Sequence, residues 1–259
     1  MVSASRAFRR VPLSALTIEG ERALASVPLY ARLKDRLVRD RYAFRVPPPG
    51  AEMAWSRAVF LNLSFWTPED GGDVLCGRRI PADVVAHVGW HHAASRALGE
   101  DATSAEGLLL GESIASAFDL YLVGVLLPRA PDHDFLRTQV PALAEEAASA
   151  GVSARAFRTM LAAIARDPEG AFGELRALLF SVSTALLAAR GVDAAARVLE
   201  RSRGHRFSSL LHHYNLSTWI LYARAFGTPA TGGAPARIDR ALRRAPRPLA
   251  WLERSWLSR

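Results

Sequence analysis

The chain has 259 residues, half of them hydrophobic and 22% charged, a composition typical of a globular protein rather than a disordered one. Its formal net charge of +8 comes with no nucleic-acid-binding motif and is concentrated between Thr228 and Arg259, where arginines exceed acidic residues by 7 − 2 = 5. The single cysteine, Cys76, excludes an internal disulfide, and residues 1–15 lack the pattern of a secretory signal, so we expect a cytoplasmic protein.

The first 80 residues mix helical and strand patterns. Apolar residues near helical spacing predict two helical segments within residues 11–40: Leu13, Leu16 and Ile18, then Leu29, Leu33 and Leu37. Residues 46–50 break any helix, Ala58–Trp66 has the pattern of an apolar strand, residues 68–72 form a turn cluster, and Asp73–Cys76 resembles a short returning strand. We therefore predict a small β element near residues 42–80.

Beyond Pro81 the chain is predicted to be almost entirely helical. Pro81 and Asp83 are typical of the start of a helix, which we expect to end at Leu98, and Thr103 with Glu106 forms a capping box for a helix that ends near Leu127. Further helices are predicted at 134–149, 153–166, 170–190, 192–203 and 207–226. The predicted fold class is mostly α, a multi-helix bundle-like single domain with a small β element.

Two long apolar stretches, residues 108–127 and 177–189, have to be distinguished from membrane spans. The first contains Glu112 and Asp119, and the second is shorter than a bilayer requires. We therefore interpret both as buried core helices.

The last part of the chain differs from the rest in composition. We predict a helical domain with a small β insert over residues 1–227, followed by a linker and basic C-terminal tail over residues 228–259. Residues 228–236 are rich in glycine and proline and are expected to be flexible. We expect the tail to contact an acidic partner or a membrane surface; the alternative is that Trp251 and Trp256 pack against the body.

The helix that begins near Pro81 carries a histidine pair. His87 and His91 are four residues apart, so both imidazoles project from one face of the helix and can hold one metal ion. On the next helix, Glu112 and Asp119 are seven residues apart and also share a face, in an apolar sequence. Each carboxylate there needs a metal, an arginine or a proton. The candidate metal ligands are therefore His87, His91, Glu112 and Asp119.

This arrangement resembles the ligand layout of gluzincin metallopeptidases. In that family a His-x-x-x-His pair on one helix and a glutamate on a following helix bind zinc, which by position implies His87, His91 and Glu112 as ligands. Residues 84–86 before the pair are similar too, and residues 50–54 loosely resemble a substrate-binding strand of one aminopeptidase branch. The resemblance covers roughly residues 50–120.

One position departs from the family. The glutamate that acts as general base directly follows the first histidine there, whereas this chain has Val88. A zinc hydrolase-like enzyme acting on a small molecule or peptide is thus one hypothesis. A non-haem iron or di-iron oxygenase is a second, in which Asp119 and the pair His212-His213 would complete a two-metal site. A third is a non-enzymatic helical interaction protein with a basic tail.

Overall fold

The computed structural model describes residues 8–65 and 72–258, and helices dominate this part of the chain. Residues 1–89 and 90–259 form two compact units, and the boundary between them falls inside one long helix, α4. The strands are β1 Arg9–Pro12, β2 Thr17–Glu19, β3 Ala43–Val46 and β4 Arg79–Pro81. The helices are α1 Glu21–Leu24, α2 Pro28–Arg39, α3 Trp55–Phe65, α4 Ala82–Leu98, α5 Ala105–Leu126, α6 Asp134–Ser149, α7 Ala154–Arg166, α8 Pro168–Ala188, α9 Val192–Ser202, α10 Leu216–Phe226, α11 Ala234–Arg244 and α12 Pro248–Leu252. The predicted fold class is therefore confirmed: mostly α with a small β element.

The first unit pairs short strands that lie far apart in the sequence. β1 runs antiparallel to β3, with Val11 opposite Phe44, and β2 runs parallel to β4, with Ile18 opposite Ile80. The region near residues 42–80 thus contributes β3 and β4, while the strands that pair with them come from the first 20 residues.

Two predictions for this unit are wrong. Residues 13–18, predicted as helix, form a 3₁₀ turn and part of β2, because pairing with β4 outweighs a helical pattern of only three apolar residues. Ala58–Trp66, predicted as a strand, lies in helix α3 as far as Phe65, because a continuous apolar run does not distinguish a buried helix from a buried strand. Trp66 and most of the predicted turn at 68–72 lie outside the described residues.

The predicted strand at residues 73–76 is also not formed. Val74 makes a single parallel bridge with Arg45. On its other side, the side chain of Asn62 from α3 donates to the Val74 carbonyl at 3.0 Å and accepts from the Val74 N–H at 2.7 Å. A side-chain amide therefore occupies the place of a neighbouring strand.

α5 is the core helix of the second unit, and α8 packs along it. The N-cap of α5 is Ser104, one residue later than predicted: its hydroxyl accepts from the Gly107 N–H at 3.0 Å and donates to the Asp101 carbonyl at 2.7 Å. Near the other end, a Cβ at Gly124 would lie 2.8 Å from the carbonyl oxygen of Ile164. The missing side chain at Gly124 thus lets α7 approach the backbone of α5.

The predicted helices from residue 134 to residue 203 are confirmed as α6 to α9, with ends within two residues of the prediction. The predicted helix at 207–226 is confirmed only for α10. A 3₁₀ turn at Ser208–Leu210 and further turns precede it, and Asn215 has a left-handed backbone with φ of 50°. Asparagine tolerates this conformation better than most residues, and it prevents a continuous helix.

Two helices are long and apolar enough to cross a membrane when judged by length and composition, α5 and α8. Within the structure, 78% of the apolar window of α5 and 50% of that of α8 is buried. For α5 in particular, burial inside the second unit accounts for the apolar composition, as the sequence indicated.

The C-terminal segment, residues 228–258, is held in place along its length. Thr228 bridges to Ser104, and the backbone N–H groups of Thr231, Gly232 and Ala234 donate to the Asp101 carboxylate at 2.8–3.0 Å. The stretch expected to be a flexible linker is thus anchored by hydrogen bonds. Side chains of the segment that are buried in the second unit include Leu242, Leu249, Leu252, Trp256 and Leu257.

Candidate metal centre

Helix α4 carries the histidine pair that the sequence analysis predicts as metal ligands. The helix begins directly after Pro81 and continues to Leu98, so His87 and His91 lie one turn apart on a single continuous helix. Buried residues surround this turn on the other faces of the helix, among them Val85, Ala86, Val88 and Trp90. Both histidines are half-buried. Packing of the neighbouring faces therefore fixes the direction of the two imidazoles.

α5 places Glu112 beside His91. Oε2 of Glu112 lies 3.6 Å from Nε2 of His91. The residue before it, Gly111, has no side chain, and a Cβ there would lie 3.5 Å from Nδ1 of the same imidazole. The His91 ring thus lies against the α5 backbone through Nδ1 and directs Nε2 toward the carboxylate.

His87, His91 and Glu112 together form a cluster that can hold a metal ion. One ligand atom of each lies within 4.8 Å of the other two, and within the described residues this is the one cluster of three or more such side chains. In a tetrahedral site with bonds of about 2.05 Å, two ligand atoms are about 3.3 Å apart, close to the 3.6 Å between His91 and Glu112. The spacing of His91 and Glu112 therefore fits a first-row divalent ion, and the ligand atom of His87 lies within 4.8 Å of both.

The cluster is open to solvent. The side chains of His91 and Glu112 are 36% and 29% exposed. A structural zinc site is usually closed by four protein ligands, whereas a catalytic site keeps a position for water or substrate. The cluster offers three ligands and is half-exposed.

Asp119, the fourth predicted ligand, is not part of this cluster. It lies two turns beyond Glu112 on α5, near His213 and Tyr214. Burial raises the pKa of the Tyr214 hydroxyl, and the negative charge of Asp119 raises it further. Burial also lowers the pKa of His213, against the opposing effect of Asp119 and Glu146. Asp119, which is half-buried, thus exerts its electrostatic effect on His213 and Tyr214 and stands apart from the cluster.

The sequence predicts a helix that contains His212 and His213. In the structure both residues lie in the turns before α10. The ring of His213 packs edge-on against Tyr214, with centroids 4.9 Å apart. Neither histidine joins the cluster of His87, His91 and Glu112.

Val88, which occupies the position of the gluzincin general base, is only 6% exposed. An ionised carboxylate at this buried point of α4 would carry a substantial desolvation cost. The burial of this position therefore suits an apolar residue.

Two residues that support the site were not identified from the sequence. Gly111 permits the close approach of His91, and Trp90, fully buried, packs edge-on against Phe118 of α5 at 5.4 Å. A glycine inside an apolar helix is a general sign of close helix packing, but it does not indicate which neighbour approaches. Comparison with protein-family models, with curated proteins and with solved structures finds no match for this chain.

Proposed function

We propose that this protein is a metal-dependent enzyme that binds one divalent transition-metal ion, zinc or iron, through His87, His91 and Glu112. The observation that carries the proposal is the convergence of three ligand atoms within 4.8 Å from two helices. The half-exposed position of the cluster supports a catalytic role, because it leaves room for water and a small molecule or peptide group.

The bound ion would act as a Lewis acid in a hydrolase-like reaction if it is zinc, or support oxygen chemistry if it is iron. The side chains of the cluster would bind the ion and hold it in a fixed orientation to the two helices. Nε2 of His91 and Oε2 of Glu112 face each other, and α4 holds His87 one turn away. Because Val88 is apolar and buried, a hydrolytic reaction here has to use a proton acceptor other than the one found in gluzincins.

The first test is metal content. We expect the purified protein, reloaded with zinc or iron and desalted, to retain about one ion per chain by elemental mass spectrometry. His91→Ala removes one of three ligands and should abolish retention. His92→Ala is the matched control, since His92 lies on the same helix, is also half-buried and is not in the cluster.

Retention by wild type and by His92→Ala, but not by His91→Ala, supports the proposal. Equal retention by all three proteins, or by none, contradicts it. With one ion bound, oxygen consumption by the iron-loaded protein in the presence of a reductant distinguishes an iron oxygenase from a zinc hydrolase.

A non-enzymatic interaction protein is the alternative, and α11 provides the observation that favours it. Arg240 and Arg244 are exposed, and neither makes an ion pair with another described residue. Arg243 and Arg247, by contrast, pair with Asp239 and Glu169. Arg240 and Arg244 thus provide a basic surface for an acidic partner or a membrane, and a protein that binds no metal would favour this alternative.

A further inference from the structure

Trp90 connects the C-terminal segment with the helices that carry the ligands. It lies directly before His91 on α4, is fully buried, and contacts two rings edge-on: Phe118 of α5 at 5.4 Å and Trp256 at 6.5 Å. Its indole N–H has no hydrogen-bond partner among the described residues, so apolar packing, which includes these two rings, holds the side chain. Trp256 therefore supplies part of the packing that orients Trp90, next to His91.

The same face of α5 that contacts Trp90 also contacts His91. Phe118 and Gly111 are seven residues apart and differ by only about 20° around the helix axis. Gly111 lies against Nδ1 of His91, and Phe118 lies against Trp90. A shift of α4 against α5 at Trp90 and Phe118 would therefore also alter the spacing of His91 and Glu112.

Trp256 is in turn positioned by the docked C-terminal segment. Glu169 of α8 accepts from Arg247 Nε at 3.0 Å and from the Ala250 N–H at 3.4 Å, at the start of α12. One turn beyond α12, Trp256 is 7% exposed. The charge contacts at the start of α12 and the ring contact at its far side thus fix the segment at two points.

We infer that Trp256 is a positioning residue for the metal centre, and that docking of the C-terminal segment sets the affinity of that centre for its ion. The inference rests on the proposed metal-binding function. Metal–ligand bond lengths vary by only about 0.2 Å, so the affinity for an ion depends on how closely the fold holds the ligands to the bound geometry. Linkage also requires the reverse effect, so a bound ion stabilises the docked segment.

The test compares Co²⁺ affinity, followed by the visible absorption of the bound ion, in full-length variants. Trp256→Leu keeps an apolar side chain but loses the ring contact, and we expect its affinity to fall by about tenfold or more, as for other residues that orient metal ligands. Trp256→Phe should bind Co²⁺ with an affinity within about threefold of wild type, because phenylalanine keeps an aromatic ring against Trp90. Ile164→Ala is the control, because it removes a buried side chain beside Gly124, about 18 Å along α5 from Glu112.

A second measurement needs no change at Trp256. We expect saturating Zn²⁺ to slow amide hydrogen exchange in residues 248–257 of the wild type and to have no such effect in His91→Ala. Unchanged exchange in metal-loaded wild type, or wild-type Co²⁺ affinity in Trp256→Leu, overturns the inference and leaves the metal site standing. Absence of Co²⁺ binding in wild type overturns the inference together with the proposed function.

Discussion

Asp101 joins two parts of the second unit that are more than 125 residues apart in the sequence. Its two carboxylate oxygens accept from three backbone N–H groups and from the Thr231 hydroxyl. The hydrogen bonds from the N–H groups of Ala234, Gly232 and Thr231 lower the pKa of this carboxyl from 3.8 to about 2. The ionised form is therefore the one that the folded chain stabilises.

We expect Asp101 to contribute to the stability of the folded state in a pH-dependent way. A lowered folded-state pKa means that its contribution is complete above about pH 4 and is lost as the pH falls toward 2. Asp101→Asn, which loses one acceptor oxygen and the charge, should lower the urea midpoint at pH 7 and weaken the dependence of that midpoint on pH below 4. The measurement is urea unfolding followed by circular dichroism from pH 2 to pH 7.

The control for Asp101 is its neighbour Glu100, which is exposed. Glu100→Gln removes the same charge without removing the acceptor of the C-terminal segment, and it should leave the midpoint at pH 7 close to that of wild type. Equal curves for Asp101→Asn and wild type would contradict the role assigned to Asp101.

The candidate site could be predicted in part because helix geometry connects its residues. Spacing of four residues places His87 and His91 on one face whatever the rest of the fold, and a short connection makes the next helix a neighbour. Trp256 and Asp101 were not predictable in the same way, since each acts on residues more than 100 positions away. Nothing in the local sequence indicates such partners.

The N-terminal cap of α5 is a buried side-chain hydrogen bond. Ser104 is fully buried, so removal of its hydroxyl leaves the Gly107 N–H without a partner and without water. Ser104→Ala should lower the free energy of unfolding by about 1–2 kcal/mol. Thr103→Ala, the control, removes only an exposed hydroxyl contact with Thr228 at 3.3 Å and should cost less than about 0.5 kcal/mol. A larger effect at Thr103 than at Ser104 would show that the cap lies at Thr103.

The predictability of the elements follows their length. Helices α6 to α9 are bounded by Gly151, by Asp167 with Pro168 and by Gly191, which end or start a helix for backbone reasons alone, and their limits were predicted to within two residues. The strands of the first unit have only three or four residues each. Their conformation is decided by pairing with strands that are distant in the sequence, and the local pattern of apolar residues does not predict that pairing.

For the whole molecule, the C-terminal segment is a structural part of the second unit. Arg176 of α8 is 1% exposed and pairs with Asp239 of α11 at 2.5 Å. A chain that ends at residue 233 lacks this partner, and a buried charge without its partner costs about 3–5 kcal/mol. We expect such a truncated chain to melt well below the full chain, or not to fold, in thermal denaturation followed by circular dichroism.

The buried charge can be separated from the lost apolar contacts in the same experiment. Arg176→Leu in the truncated chain removes the unpaired guanidinium while keeping an apolar side chain, and it should recover part of the lost melting temperature. A truncated chain that melts with the full chain would show instead that residues 234–259 form an independent tail, as their composition suggested.

The large sequence separation between Asp101 and its hydrogen-bond donors also affects how the protein folds during synthesis. At about 5–20 residues per second, translation from Asp101 to Ala234, 133 positions later, takes roughly 7–27 seconds. Once α8 has been synthesised, the nascent chain still lacks the donors that Asp101 accepts from and the carboxylate that pairs with Arg176. We expect both charges to stay hydrated until these groups are synthesised, so that the second unit completes its native packing only after residues 231–239 leave the ribosome and an interrupted chain is exposed to proteases and chaperones.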